Sequence, residues 1–65
     1  MISSVIRLKN NMVMVFDAEG EQIPEYQGPY YDVKRIILRN ALPGTVFTQW
    51  FNSADEPEIV SRVNW

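Results

Sequence analysis

The chain has no histidine and no cysteine among its 65 residues. Histidine is the usual general base at neutral pH, and cysteine is both the thiol nucleophile and a soft metal ligand. Without cysteine the fold also has no disulfide to stabilise it. The three glycines form no phosphate-binding loop. We therefore expect a protein that is not an enzyme, that uses no cofactor and that has no metal site.

The sequence also shows no long apolar run and no excess of positive charge. No apolar run approaches the roughly 20 residues of a membrane-spanning helix. The first residues lack the pattern of a signal peptide, so we expect a cytoplasmic protein with no membrane partner. Eight acidic residues against six basic ones give a net charge of −2. This balance disfavours nucleic acid as the main partner, because polyanion binders carry an excess of Lys and Arg.

The size of the chain limits it to one domain, and the apolar content allows that domain a core. With 46% hydrophobic residues over 65 positions, the composition is that of a folded chain. A domain of this size buries only about 60% of the surface that its unfolded chain exposes, so its stability is marginal. Since disulfides are excluded and a metal is not expected, close packing or self-association has to supply the remaining stability.

Segments rich in apolar and β-branched residues predict five strands. They cover residues 3–8, 12–16, 21–23, 45–51 and 58–65. The continuous apolar run over 12–16 predicts a central strand that is covered on both faces. Turns are predicted at Asn10-Asn11 and at Asp17–Gly20, where glycine supplies a positive φ. Pro24 has no N–H to donate and ends the third strand.

The helix signal lies between the third and fourth strands. Gly28 is a candidate N-cap and Pro29 suits the first turn, so the pattern predicts a helix over residues 29–40. One stripe of this helix is apolar and faces the sheet: Tyr30, Val33, Ile36, Ile37 and Ala41. Asp32, Arg35 and Arg39 lie on the opposite side. The order of elements is then β-β-β-α-β-β.

The most economical arrangement of these elements is a single α+β domain over residues 1–65. It has one antiparallel sheet of about four to five strands, with the helix packed across one face. Residues 52–57 are predicted to be a polar connection. For the end of the chain a helix that begins at Ser53, with Glu56 in the capping-box position, is the competing interpretation. The Val and Trp content of residues 58–65 favours the strand.

The helix carries more apolar surface than one sheet contact requires. Tyr31, Leu38 and Leu42 lie on its flank, which either a curved sheet or a partner has to cover. Trp65 is the last residue of the chain, and its ring is either docked on the sheet or available to a second chain. These four residues are the candidate interface. We expect a non-catalytic module that binds a protein, either a different partner or a second copy of itself, for which a C2 dimer is the commonest closed arrangement.

Nucleic acid is the alternative partner. Lys34, Arg35 and Arg39 project from the helix, and Tyr31 adds a ring on which a base can stack. The competing interpretation is an ordinary solvated helix face. In the acidic turn, Asp17, Glu19 and Glu21 offer oxygen ligands, but Asp17 is expected to serve by shaping the turn through hydrogen bonds.

Overall fold

The computed structural model describes residues 1–50 and 56–65, which form one mixed sheet and one α-helix. The elements are β1 (Ser4–Arg7), β2 (Met12–Phe16), β3 (Gly28–Pro29), α1 (Tyr30–Asn40), β4 (Val46–Gln49) and β5 (Glu58–Val60). Short 3-10 turns lie at Pro24–Tyr26 and Arg62–Asn64. The five strands are ordered β3-β2-β1-β4-β5 across the sheet. The α+β class is therefore confirmed.

The sheet is mixed because β1 and β4 run parallel. Their register pairs Ser4 with Val46 and Arg7 with Gln49, whereas the other three strand pairs are antiparallel. The prediction of a purely antiparallel sheet is wrong at this pair. Between β3 and β4 the chain passes through α1, and a helical crossover returns the chain to the end of the sheet where a parallel strand can start.

Both predicted turns are present. Asn11 has a positive φ of 67°, and Gly20 has a φ of 82°. Asparagine enters the left-handed region more readily than other side chains, and glycine enters it without steric cost. Local sequence is therefore sufficient to place the β1–β2 hairpin and the Asp17–Gly20 turn.

The third strand is not where the sequence predicted it. Residues 21–23 make only one bridge, between Phe16 and Gln22, and the chain then enters the 3-10 turn at Pro24. The Gln27 side chain accepts a hydrogen bond from the Val15 N–H at 3.0 Å. A side chain thus occupies the Val15 N–H, which a neighbouring strand would otherwise bond. The ladder between β2 and β3 forms farther along the chain, at Gly28–Pro29.

The helix extends over Tyr30–Asn40, with Pro29 rather than Gly28 as the N-cap residue. Tyr30, Val33 and Ile37 are buried, whereas Ile36 is 43% exposed. The predicted apolar stripe is thus confirmed except at Ile36, which lies on its solvent border. On the sheet, the helix-facing side chains of the core are Val5, Val13, Val15 and Phe47.

The end of the chain turns back into the core. The prediction of a strand over residues 58–65 is confirmed only for Glu58–Val60, which forms the sheet edge. A 3-10 turn then places Trp65 at 3% exposure. Residues 51–55 lie outside the described part of the chain, and with them most of the predicted 52–57 connection and the start of the alternative helix at Ser53.

Several directed contacts hold Trp65 in place. Its ring lies 5.1 Å from the Tyr30 ring and 5.1 Å from the Phe47 ring, measured between centroids. Its Nε1–H donates to the Thr48 carbonyl at 2.9 Å, and the Tyr30 hydroxyl donates to the main-chain oxygen of Trp65. Arg62 donates to the Ala41 carbonyl at 3.0 Å, which fixes the turn that delivers the ring. The last residue is therefore a core residue.

Replacing this ring tests how much the fold depends on it. We expect Trp65→Ala to lower the free energy of unfolding by about 3–5 kcal/mol, because it removes a buried aromatic side chain and leaves a cavity. Val63 in the same turn is 90% exposed, so Val63→Ala is the matched control and should change stability by no more than about 0.5 kcal/mol. Urea unfolding measures both. Equal losses in the two variants would show that the ring is not part of the core.

Candidate functional site

The acidic turn is built by hydrogen bonds from its own backbone. Asp17 Oδ1 accepts from the N–H groups of Glu19 and Glu21, each at 2.9 Å. This confirms the prediction that Asp17 shapes the turn. Glu19 and Glu21 are exposed. Within residues 1–50 and 56–65, no three acidic side chains lie close enough together to hold a metal ion.

The role of Asp17 can be measured directly. Asp17→Ala removes both hydrogen bonds and should lower the free energy of unfolding by about 1 kcal/mol, the usual effect of losing a side-chain cap on backbone N–H groups. Glu19→Ala changes the same charge in the same turn but leaves these bonds in place. Urea unfolding of both variants should separate them, and an equal effect would assign the change to charge alone.

The helix flank has a shallow groove of about 380 Å³ that is lined by Tyr31, Lys34, Arg35 and Leu38. Tyr31 is 79% exposed, and Leu38 is half-buried against the core. The structure thus brings together two of the four predicted interface residues and two of the three predicted nucleic-acid contacts.

The remaining predicted residues lie elsewhere. Leu42 lines a separate depression of about 260 Å³ near the start of β1. Trp65 is buried in the core, so its ring belongs to no surface of this chain. Arg39 is exposed near the last turn of α1 and does not line the groove of Tyr31 and Leu38. The four predicted interface residues therefore do not form one continuous patch.

A second basic residue joins Lys34 from the sheet. The Arg7 Cζ lies 3.5 Å from the centroid of the Tyr30 ring, and the Lys34 Nζ lies 5.2 Å from the same centroid. Arg7 is held from the other direction by Asn11, whose Oδ1 accepts from Arg7 Nε at 2.7 Å. Sequence reasoning did not place Arg7 in the site, because the contact depends on how the helix crosses the sheet.

A further groove, of about 410 Å³, lies beside the β1–β2 turn. Leu8, Lys9, Asn10 and Trp50 line it. The Lys9 Nζ lies 5.4 Å from the centroid of a Trp50 ring. The main-chain N–H of Trp50 donates to the Arg7 carbonyl at 2.9 Å, which places Trp50 beside the end of β1. Each of the two grooves thus combines one aromatic ring with at least one cation.

A third surface feature is the sheet face that points away from α1. Neighbouring residues in register share a face, and alternate residues along a strand point to opposite faces. Since Val5, Val15 and Phe47 pack under the helix, their sequence neighbours point away from it. The strand residues on that side are Ser4, Ile6, Met12, Met14, Phe16, Pro29, Val46, Thr48 and Ile59. We call this set the open sheet face.

The open sheet face contains no charged side chain, and several of its members are well exposed. Met12 is 38% exposed, Val46 43% and Ile59 77%. Its rows run across four strands, as the pairs of Ile6 with Met14 and with Thr48 and of Thr48 with Ile59 show. No element among the described residues covers these three side chains. The exposure of these side chains therefore extends across the sheet and is not confined to one loop.

Sequence reasoning missed this face although its signal was present. The apolar run over 12–16 was interpreted as a strand covered on both faces. In the structure, Val13 and Val15 are buried under the helix, whereas Met12 is exposed and Met14 and Phe16 are half-buried. The expectation of cover on both faces is wrong because the described chain supplies a helix to one side only. An unbroken apolar strand beside one predicted helix was the available clue.

Comparison with protein-family models, with curated proteins and with solved structures gives no match to this chain. In the described ranges no helix has the length and apolarity needed to cross a bilayer. Two surfaces are candidates for the functional site. One is the uncharged open sheet face, and the other is the end of the sheet beside the start of α1, where basic and aromatic side chains lie close together.

Proposed function

We propose that this protein is a non-catalytic module that self-associates through the open sheet face. The observation that carries the proposal is that this face is apolar and free of charge over four strands. Exposed apolar patches rimmed by polar residues are typical of protein interfaces. The lack of histidine and cysteine supports a binding role, and the lack of cysteine suits a reducing compartment such as the cytoplasm.

A second copy of the chain is the partner that best fits this surface. In a two-fold symmetric contact each residue meets the same patch on the other copy, so a charge near the axis would face a like charge. The open sheet face avoids this penalty, because all its polar members are neutral hydroxyl side chains, Ser4 and Thr48. It also has no charge pattern with which to select a charged partner.

Sheet geometry fixes the scale of such a contact. Strands about 4.8 Å apart that rise about 3.3 Å per residue give four strands of this length a flat area of roughly 300 Å². Two such faces packed about 10 Å apart, as in a sandwich, bury less than the approximately 800 Å² per partner of a standard interface. We therefore expect a reversible dimer rather than a permanent one.

The sheet edge is a poorer site for self-association. A full strand over residues 58–65, as predicted from the sequence, would present an edge rich in Val and Trp. In the structure β5 is at the edge but has only three residues, begins with Glu58 and follows Pro57. Short strands, charge and proline are the devices that block pairing at edges. Trp65 is withdrawn into the core. These features favour the face over the edge.

Light scattering over a protein dilution series tests the proposal. We expect the mass to rise from that of one chain towards that of two as concentration increases, with little dependence on salt, because the contact is apolar. Val46→Glu places a charge on the open sheet face and should leave a monomer at every concentration. A wild-type protein that stays monomeric throughout would refute the proposal.

Leu42→Glu is the matched control. Leu42 is 42% exposed and Val46 is 43% exposed, and both variants introduce one carboxylate. Since Leu42 belongs to the helix flank predicted from sequence, the pair distinguishes the two surfaces. We expect Leu42→Glu to dimerise like the wild type. If Leu42→Glu dissociates the dimer and Val46→Glu does not, the interface lies around Leu42 and not on the open sheet face. Urea unfolding of both variants checks that each one is folded.

A further inference from the structure

Four of the six basic residues of the chain gather at one end of the molecule. Arg7 ends β1, Lys9 lies in the turn that follows, and Lys34 and Arg35 lie in the first half of α1. The helix starts at this end, since the Tyr30 N–H donates to the Asn11 carbonyl at 2.9 Å. The net charge of −2 thus conceals an uneven distribution.

Part of the negative charge lies at the opposite end. The Asp17–Gly20 turn follows β2, which runs antiparallel to β1, so Asp17, Glu19 and Glu21 are a full strand length away from Arg7. At the basic end, Asp32 lies in the first turn of α1 and Glu58 lies in the row of Arg7, beyond Gln49. Arg7 and Lys34 both lie against the Tyr30 ring at this end.

Arg7 is held in position before any ligand arrives. The Tyr30 ring is 3% exposed and is itself fixed by edge-to-face contact with Trp65. Arg7 is stacked on this ring and bonded through Nε to Asn11, and no described residue accepts a hydrogen bond from its two terminal nitrogens. A preorganised guanidinium loses little conformational entropy when it binds an anion, and its fork suits phosphate oxygens.

Aromatic rings flank these cations on both sides. Tyr31 is 79% exposed and stands edge-on to Tyr30 at 5.1 Å, in the groove with Lys34 and Arg35. Trp50 lies in the groove with Lys9. The Arg7 carbonyl accepts a hydrogen bond from the main-chain N–H of Trp50, so the end of β1 connects one groove to the other. Cations interleaved with aromatic rings are the features that hold single-stranded nucleic acid, through phosphate contacts and base stacking.

We propose that this end of the molecule binds single-stranded nucleic acid, with Arg7, Lys34 and Lys9 on phosphates and with Tyr31 and Trp50 as stacking platforms. The groove of Tyr31, Lys34 and Arg35 lies on the helix side of the sheet, away from the open sheet face. It differs from the contact predicted from sequence, because Arg7, Lys9 and Trp50 enter it and Arg39 does not. With three phosphate contacts the binding is weak at physiological salt and depends steeply on ionic strength.

Fluorescence anisotropy with a labelled oligo(dT), and with a hairpin duplex of the same length, tests this proposal. We expect wild-type protein to bind the single strand at low salt and to prefer it to the duplex. Lys34→Gln should weaken binding and reduce the slope of log K against log salt by about 0.7, the value for one phosphate contact on a single strand. Tyr31→Ala should weaken binding by about fivefold or more through lost stacking.

Arg39→Gln is the matched control for Lys34→Gln, since it removes one exposed positive charge from the same helix outside both grooves. We expect it to leave the affinity and the salt slope unchanged. Val46→Glu should also bind normally, so this proposal and that of self-association fail separately. Absence of wild-type binding at low salt, equal binding of the duplex, or an equal effect of Arg39→Gln would each overturn the site. Circular dichroism confirms that the variants are folded.

Discussion

One helix can cover only one face of the sheet, and the rest of the structure follows from this constraint. A helix is about 10 Å wide with its side chains, whereas five strands about 4.8 Å apart extend nearly twice as far. The covered face therefore needs further material on each side of α1. Ile23 and Tyr26 pack against the core from the segment before the helix, and Trp65 does so from the end of the chain. The opposite face receives no such cover from the described elements.

The parts of the fold that depend on neighbouring residues could be predicted from the sequence. The positive φ at Asn11 and Gly20 and the bounds of α1 follow from residue type and spacing, which act within a few positions. The parallel pairing of β1 with β4 could not be predicted in this way, because strand segments carry no local signal for their partner's direction. The burial of Trp65 could not be predicted for a related reason. An alternating pattern at 58–65 resembles a strand until the core offers a large ring a better place.

In the candidate site, too, contacts within one element could be predicted and contacts between elements could not. The helical wheel correctly placed Tyr31 beside Leu38, since these residues share one element, but it assigned Leu42 to the same flank and Arg35 to the opposite side. It could not show that Arg7 would reach the Tyr30 ring from the sheet, which requires knowing where α1 crosses β1. Nor could it reveal the open sheet face. An unbroken apolar strand indicates that both of its faces carry apolar side chains. Whether both faces are buried depends on how many layers of structure cover the sheet.

The two proposed surfaces rest on different forces and on different layers of the molecule. Burial of Val46, Ile59 and Met12 is insensitive to salt, whereas phosphate contacts by Arg7 and Lys34 weaken as salt rises. The groove of Tyr31 and Lys34 lies on the helix layer, away from the sheet face through which two copies would meet. Self-association therefore leaves this groove open on both copies. Because the two helix layers lie on opposite outer sides of such a dimer, each groove binds nucleic acid as it does in a single chain, and the affinity should not depend on dimerisation.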